Sequence, residues 1–208
     1  FIYSPKISKS LTEKGGAIYI QKSYSYIEQC IFINNAIYTQ EEKSDPNGGS
    51  LFFERSTIEL IECNFTSNFI EVIDETINNI IINGGAIYGD SSNIDFNKCN
   101  FKNNFLVALT NSNSCNGGSI YFRKTNTTLF ECNFENNTIY TKGETKDAYA
   151  GGCCMFICPQ VWIENCIFVQ NKVDASGNIL SGTLLIYGCD FLKITKTSFD
   201  NNFLLSSK

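Results

Sequence analysis

Apolar and polar residues alternate along this chain in short runs that never reach the length of a helix. In one such stretch Ile58 and Leu60 alternate with charged or polar neighbours, and Cys63 and Phe65 alternate again after a shift of phase. Alternation with period two turns one face of an extended strand toward a core. A shift of phase between two such runs marks a corner. No stretch carries a 3.6-residue apolar period over about ten residues, and the runs are rich in the Ile, Phe, Tyr and Thr that suit strands.

The pattern recurs. Glycine pairs stand at Gly15-Gly16, Gly48-Gly49, Gly84-Gly85, Gly117-Gly118 and Gly151-Gly152, with a degenerate Ser181-Gly182 last, at steps of 30 to 36 residues. Fifteen residues after each first glycine comes Cys30, Cys63, Cys99, Cys132 or Cys166. Then follow Phe32, Phe65, Phe101, Phe134, Phe168 and Phe199, and three residues beyond each stands Asn35, Asn68, Asn104, Asn137, Asn171 or Asn202. A period in this range fits helical repeats, propeller blades or a solenoid. Helical repeats lack their pattern here, and Asn-Gly, the hairpin signal of a propeller blade, occurs only at the glycine pairs. The spacing predicts an all-β fold: a right-handed parallel β-helix of about six coils with three short strands per coil. Residues 1–208 read as a single repeat domain, a segment of a longer chain or assembly.

Stacking then gives each repeated residue a place. Coils about 4.8 Å apart set equivalent residues above one another. The phenylalanines form an interior stack, and Ile18, Leu51, Ile87 and Ile120 form an aliphatic one. The asparagines are expected at a corner, in left-handed backbone, with amides bonded up and down the stack. The glycine pair supplies a tight bend. The five aligned cysteines are read as reduced, small interior fillers, although neighbouring coils also lie within disulfide reach. Of the other five, Cys115, Cys153, Cys154, Cys158 and Cys189, the last two fall on adjacent coils and are candidates for a disulfide. Tyr19, Phe52, Tyr88 and Tyr121 either face outward as an aromatic stripe or, with the phase reversed, belong to the core.

"GGAI" at Gly15 and Gly84, "GGSL" at Gly48, "GGSI" at Gly117 and Phe-x-x-Asn in all six copies resemble the paired motifs of the polymorphic outer-membrane proteins. Those are bacterial autotransporter adhesins with β-helical passenger regions. What the resemblance implies is a surface-exposed, right-handed β-helix concerned with adhesion. It spans nearly the whole chain through short, structural motifs. No segment of these 208 residues reads as a translocation barrel.

Composition narrows the function. Charged residues are 18% against 43% hydrophobic, a globular balance. The net charge of −5, with Arg55 and Arg123 the only arginines, argues against nucleic acid as a partner. No apolar run approaches the roughly 20 residues of a membrane span. Three sequons, at Asn64, Asn126 and Asn136, point to N-linked glycans and an extracellular, secreted or cell-surface protein. Histidine is absent, "CCMFIC" lacks paired Cys-x2-Cys spacing, and no metal or other cofactor is expected.

Length variation falls between the corner asparagine and the next glycine pair, where recognition on a rigid frame usually sits. The acidic residues there are Glu41, Glu42, Asp45, Glu71, Asp74 and Glu75, without the ligand spacing of a calcium loop. The outward carboxylates Glu28, Glu59, Asp95 and Glu164 read as lying at shifting phases of the repeat, so no catalytic residues are assigned. The expected function is a non-catalytic extracellular scaffold, elongated by end-to-end self-association or by continuation of the same chain, since neither end shows a polar cap. The alternatives are an adhesin that binds glycans or host proteins through loops on one edge, and a polysaccharide-cleaving enzyme with the architecture of the pectate lyases.

Overall fold

The computed structural model describes residues 5–8, 14–39, 45–72, 80–109 and 111–206, and the fold is the expected parallel β-solenoid. Three sheets of six strands each run the length of the stack, with the strands of each sheet parallel and in register. In the second coil the strand Leu51–Glu54 belongs to the first sheet, Thr57–Ile61 to the second and Asn64–Thr66 to the third. Their inward residues enclose one core, with Leu51, Phe53, Ile58, Leu60, Cys63 and Phe65 all fully buried. Neighbouring rings from Phe32 to Phe199 stack with centroids 4.6 to 5.0 Å apart and planes within 3 to 7° of parallel.

The expected three strands per coil fall one short. After each corner asparagine the chain forms a further strand, such as Phe69–Val72 or Phe105–Ala108, and in several coils it comes back through another, Ile80–Asn83 or Ser112–Asn116. In the fourth coil a single strand, Thr138–Tyr149, covers both legs. These strands make a nine-stranded fourth sheet with its own apolar core, in which Ile70, Val72, Ile80 and Ile82 are buried. The first three sheets are thus a body and the fourth is a fin. The fin had read as loops because its apolar alternation is split by polar insertions. Of the acidic residues assigned there, Asp45 and Glu71 are described, while Glu41, Glu42, Asp74 and Glu75 lie outside the described residues.

The glycine pair closes the fin onto the body. Gly48 has φ +69°, and a Cβ on Gly49 would run into the carbonyl oxygen of Gly85 in the next coil. In the fifth coil the pairing corrects the sequence alignment. Ile120 pairs with Cys153, but Thr127 pairs with Val161, so one residue has been inserted between them. That residue is Pro159, which has no N–H to give to a ladder and lies in the corner between the strands Cys153–Phe156 and Gln160–Glu164. Ala150, at φ 58°, therefore takes the place of the first glycine, and Gly151 that of the second.

Each coil turns three corners, and at each a residue takes left-handed backbone: Arg55, Glu62 and Ser67 in the second coil, Ser91, Lys98 and Asn103 in the third. The repeated asparagine was expected to be that residue. It is the next one along, outside the left-handed region, and its side chain is fully buried in the first five coils. Its amide has work that a left-handed surface residue could not do. Asn104 Oδ1 accepts the Asn68 backbone N–H at 3.0 Å and Asn68 Nδ2 at 3.0 Å. Asn104 Nδ2 donates to the Phe65 carbonyl at 2.9 Å and to Asn137 Oδ1 at 3.0 Å. Asn68, Asn137 and Asn171 repeat the arrangement.

Asn104→Ala would take a partner from the buried Asn68 N–H, the Asn68 amide and the Phe65 carbonyl in the coil before, and one of two bonds from Asn137 Oδ1 in the coil after, each group left unsatisfied costing about 1–3 kcal/mol. We expect it to lower unfolding stability by about 3 kcal/mol or more in chemical denaturation. Asn103→Gly, one residue earlier, relieves a left-handed backbone (φ 55°) and is expected to change stability by less than about 1 kcal/mol. Equal losses for the two variants would contradict this assignment of roles.

Candidate functional site

The cysteine file belongs to the second corner of each coil. Cys63 Sγ donates to the Ile61 carbonyl at 3.3 Å and Cys166 Sγ to the Glu164 carbonyl at 3.3 Å, each reaching back across the left-handed residue. In the sixth coil Thr197 occupies the same place, and its hydroxyl donates to the Thr195 carbonyl at 3.0 Å. The first corner carries an equivalent file that the sequence reading missed: Ser23, Ser56, Ser92, Thr125, Cys158 and Cys189. Ser56 Oγ donates to the Glu54 carbonyl at 2.9 Å and accepts the Ser23 N–H at 3.2 Å. Thiol, hydroxyl and amide are three ways of serving one corner geometry. Cys158 and Cys189 are thus neighbours on adjacent coils, and all ten cysteines are free thiols. Burial pushes the Cys115 thiol up to about 12 and that of Cys158 up to about 11. Cys153 and Cys132 are also raised, chiefly by burial.

The outward aromatic file has an environment intermediate between its two expected ones. Phe52, Tyr88 and Tyr121 point away from the main core, yet they are only 3%, 7% and 9% exposed, against 43% for Tyr19. The returning leg of the fin covers them, forming a third apolar cluster with Ala150, Cys154 and Tyr149. Their rings stack on one another, Phe52 on Tyr88 at 4.7 Å and Tyr88 on Tyr121 at 5.5 Å.

The angle between fin and first sheet is a groove of about 510 Å³ that crosses several coils. One wall carries a second asparagine ladder, the residues just before the glycine pairs. Asn83 Nδ2 donates to Asn47 Oδ1 and Asn116 Nδ2 to Asn83 Oδ1, both at 2.7 Å. The other wall carries the aromatic file and, along its rim, Glu54, Asp90 and Arg123 in register. Arg123 Nε donates to Asp90 Oδ1 at 2.8 Å. Glu54 accepts from the Tyr19 hydroxyl at 3.0 Å and from Gln21 Nε2 at 3.1 Å, and lies 3.6 Å from Lys14 Nζ. Burial works to raise the Glu54 carboxyl, but the Tyr19 hydroxyl and the Lys14 charge outweigh it and hold the group below its ordinary range. Burial pushes Tyr88 up to about 12 and raises Tyr121 as well.

Register also corrects the reading of the carboxylates. Glu59 and Asp95 are direct partners on adjacent coils of the second sheet, as Glu54 and Asp90 are on the first. Both pairs are 36 residues apart, the same step as Cys63 to Cys99, and that spacing was the available signal. Glu28 and Glu164 do lie at another phase, opposite Ile61 and Phe130. A carboxyl that works as a general acid needs its proton held near neutral pH. Glu54 is shifted the opposite way, toward a standing acceptor of hydrogen bonds.

The sequon asparagines lie on the sides of the body. Asn126 and Asn136 are exposed, donating to Asn93 Oδ1 at 2.9 Å and Asn103 Oδ1 at 2.8 Å. Asn64 points outward from the third sheet but is half-buried, and its Oδ1 accepts from Asn100 Nδ2 at 3.0 Å. Among the described residues no three metal-ligating groups converge, and no helix is long and apolar enough to cross a membrane. Compared with known proteins, the chain matches no family model, no curated protein and no solved structure.

The raised thiols make stability fall on the alkaline side. Unfolded cysteines lose their protons above about pH 8.5, while Cys115, Cys132, Cys153, Cys154 and Cys158, all raised chiefly by burial, keep theirs. Cys99 and Cys166, lowered by hydrogen bonds from Cys132, oppose this in part, and the folded state still holds more protons there. Melting temperature is expected to be level from pH 6 to 8 and to drop steadily from pH 9 to 11. In alkylation of the native protein at pH 8.5, followed by mass spectrometry, the half-buried Cys30 and Cys189 should label first and Cys115, Cys153 and Cys154 only after unfolding. Early labelling of Cys153 would refute the burial argument.

Proposed function

We propose that the chain is a non-catalytic extracellular structural protein, a β-helical scaffold that extends end to end into an elongated, glycosylated assembly. One observation carries this reading. Successive coils stack through the same files at every step: the Phe134, Phe168 and Phe199 rings follow one another at 4.7 and 5.0 Å, and Asn137, Asn171 and Asn202 are linked amide to amide. Stacking of this kind sets no limit of its own on the number of coils. A further coil in matching register, from the same chain or from a second copy, would extend the same files.

The sides of the body support the same direction of growth. Surface ion pairs and asparagine pairs run from coil to coil there, as in Lys102 to Glu135 at 2.8 Å, and glycans on Asn126 and Asn136 would keep two bodies from pairing laterally. The resemblance to autotransporter passenger repeats also favours a surface-exposed protein.

Negative-stain images and light scattering of residues 1–208 test the reading. The protein is expected to form end-to-end particles as concentration rises, and Phe199→Lys, at an exposed position, is expected to return it to single solenoids with an unchanged circular dichroism spectrum. Wild-type particles that stay one solenoid long at every concentration would overturn self-association. Peptide mapping of protein secreted from a eukaryotic host is expected to find glycans on Asn126 and Asn136.

A further inference from the structure

The groove contains two groups that the scaffold does not use. Tyr88 and Tyr121 are more than nine-tenths buried, and neither hydroxyl has a hydrogen-bond partner among the described residues. Neither oxygen is sealed in, since both stay outside the set of buried polar atoms that lack partners, and both residues line the groove. Each ring is buried while its hydroxyl opens into the groove, where a ligand can take the place of water as its hydrogen-bond partner. Phenylalanine at the same position of the preceding coil, Phe52, shows that stacking alone does not require the hydroxyl. The two hydroxyls therefore point to a ligand.

We propose that the groove binds a neutral polysaccharide laid along the solenoid axis. Its opposite wall offers Asn47, Asn83 and Asn116, whose amides both donate and accept, and the tyrosine hydroxyls do likewise. Sugar hydroxyls reciprocate both roles. The asparagine recurs in register over three successive coils and the tyrosine hydroxyl over two of them, so the site suits a linear chain with a repeating unit. Arg123 pairs with Asp90 and Lys14 with Glu54, and the further charged residue of the lining, Asp45, is acidic, which leaves no unpaired cation for an acidic glycan. An extended peptide fits less well, because it gains affinity by adding to an open sheet edge. The groove walls are sheet faces whose backbone groups are already paired along the ladders. At about 510 Å³ the volume is within the roughly 300–1,000 Å³ typical of ligand sites. This site is independent of end-to-end stacking.

The test is calorimetric titration of residues 1–208, with the Phe199→Lys change included to remove self-association, against hexasaccharides of β-glucan, mannan, xylan and chitin. Heparin and polygalacturonate serve as acidic probes. At least one neutral hexasaccharide is expected to bind with a dissociation constant below about 1 mM, and affinity should rise from the trisaccharide to the hexasaccharide. The Tyr88→Phe/Tyr121→Phe double variant keeps the rings and their stacking, and it should weaken that binding by about tenfold, while Tyr24→Phe on another face leaves it unchanged. Binding confined to the acidic probes, affinity indifferent to the double variant, or no neutral hexasaccharide bound at 5 mM would each overturn the proposal. Failure of self-association in the wild-type chain would leave it standing.

Discussion

A buried corner is the constraint on which this solenoid depends. Strands satisfy their backbone groups along the ladders, but a chain that must turn three times per coil breaks the regular pattern at every turn. The break lies against a dry core, where an unbonded amide or carbonyl costs about 1–3 kcal/mol. One answer serves all of these corners. A residue in left-handed backbone makes the turn, and the next residue sends a short polar side chain inward to bond the freed groups. Left-handed backbone is costly for most side chains, yet Glu62, Lys98 and Glu131 accept it in the second, third and fourth coils. The bonds made by Cys63, Asn68 and their equivalents offset that strain. Because each amide reaches into the neighbouring coil, the corners also hold the register, and the register holds the phenylalanines in line.

Much of this was legible because the core is periodic. A residue that recurs at one position per coil announces its place, so the phenylalanine, asparagine and cysteine files could be read directly from spacing. Their stacking follows from the repeat alone. The files that escaped notice are those with mixed chemistry. Ser23, Ser56, Ser92, Thr125, Cys158 and Cys189 share a corner but not a residue type, and only the common need for a short donor unites them. The fin escaped for a related reason: its two legs are apolar on one side over only four or five residues, and segments of unequal length separate them. The inserted Pro159 moved the fifth glycine pair by one place, since spacing counts residues and not ladder positions.

The candidate site was less legible than the fold. The aromatic file was visible, but whether it faced water or protein depended on where the fin lies, which no local pattern encodes. The asparagine before each glycine pair passed for part of a turn signal, although it lines the groove. Register was needed to see that Glu54 and Asp90, or Glu59 and Asp95, stand side by side. A groove between a body and a fin is a property of the assembled coil, and its chemistry comes from residues that look unremarkable one repeat at a time.

The fin leaves and rejoins the body at nearly one point, where Gly49 passes the Phe69 carbonyl. The connection from Asn68 to Gly84 is 15 residues long and that from Asn35 to Gly48 is 12. The amide bonds from Asn35 to Asn68 and from Asn68 to Asn104 nonetheless have almost the same lengths, 2.9 and 3.0 Å. The difference in length leaves no mark on the amide ladder of the core. Insertion and deletion in these segments therefore give an evolving lineage a dial on the depth of the groove, one coil at a time, with no matching change required in the body.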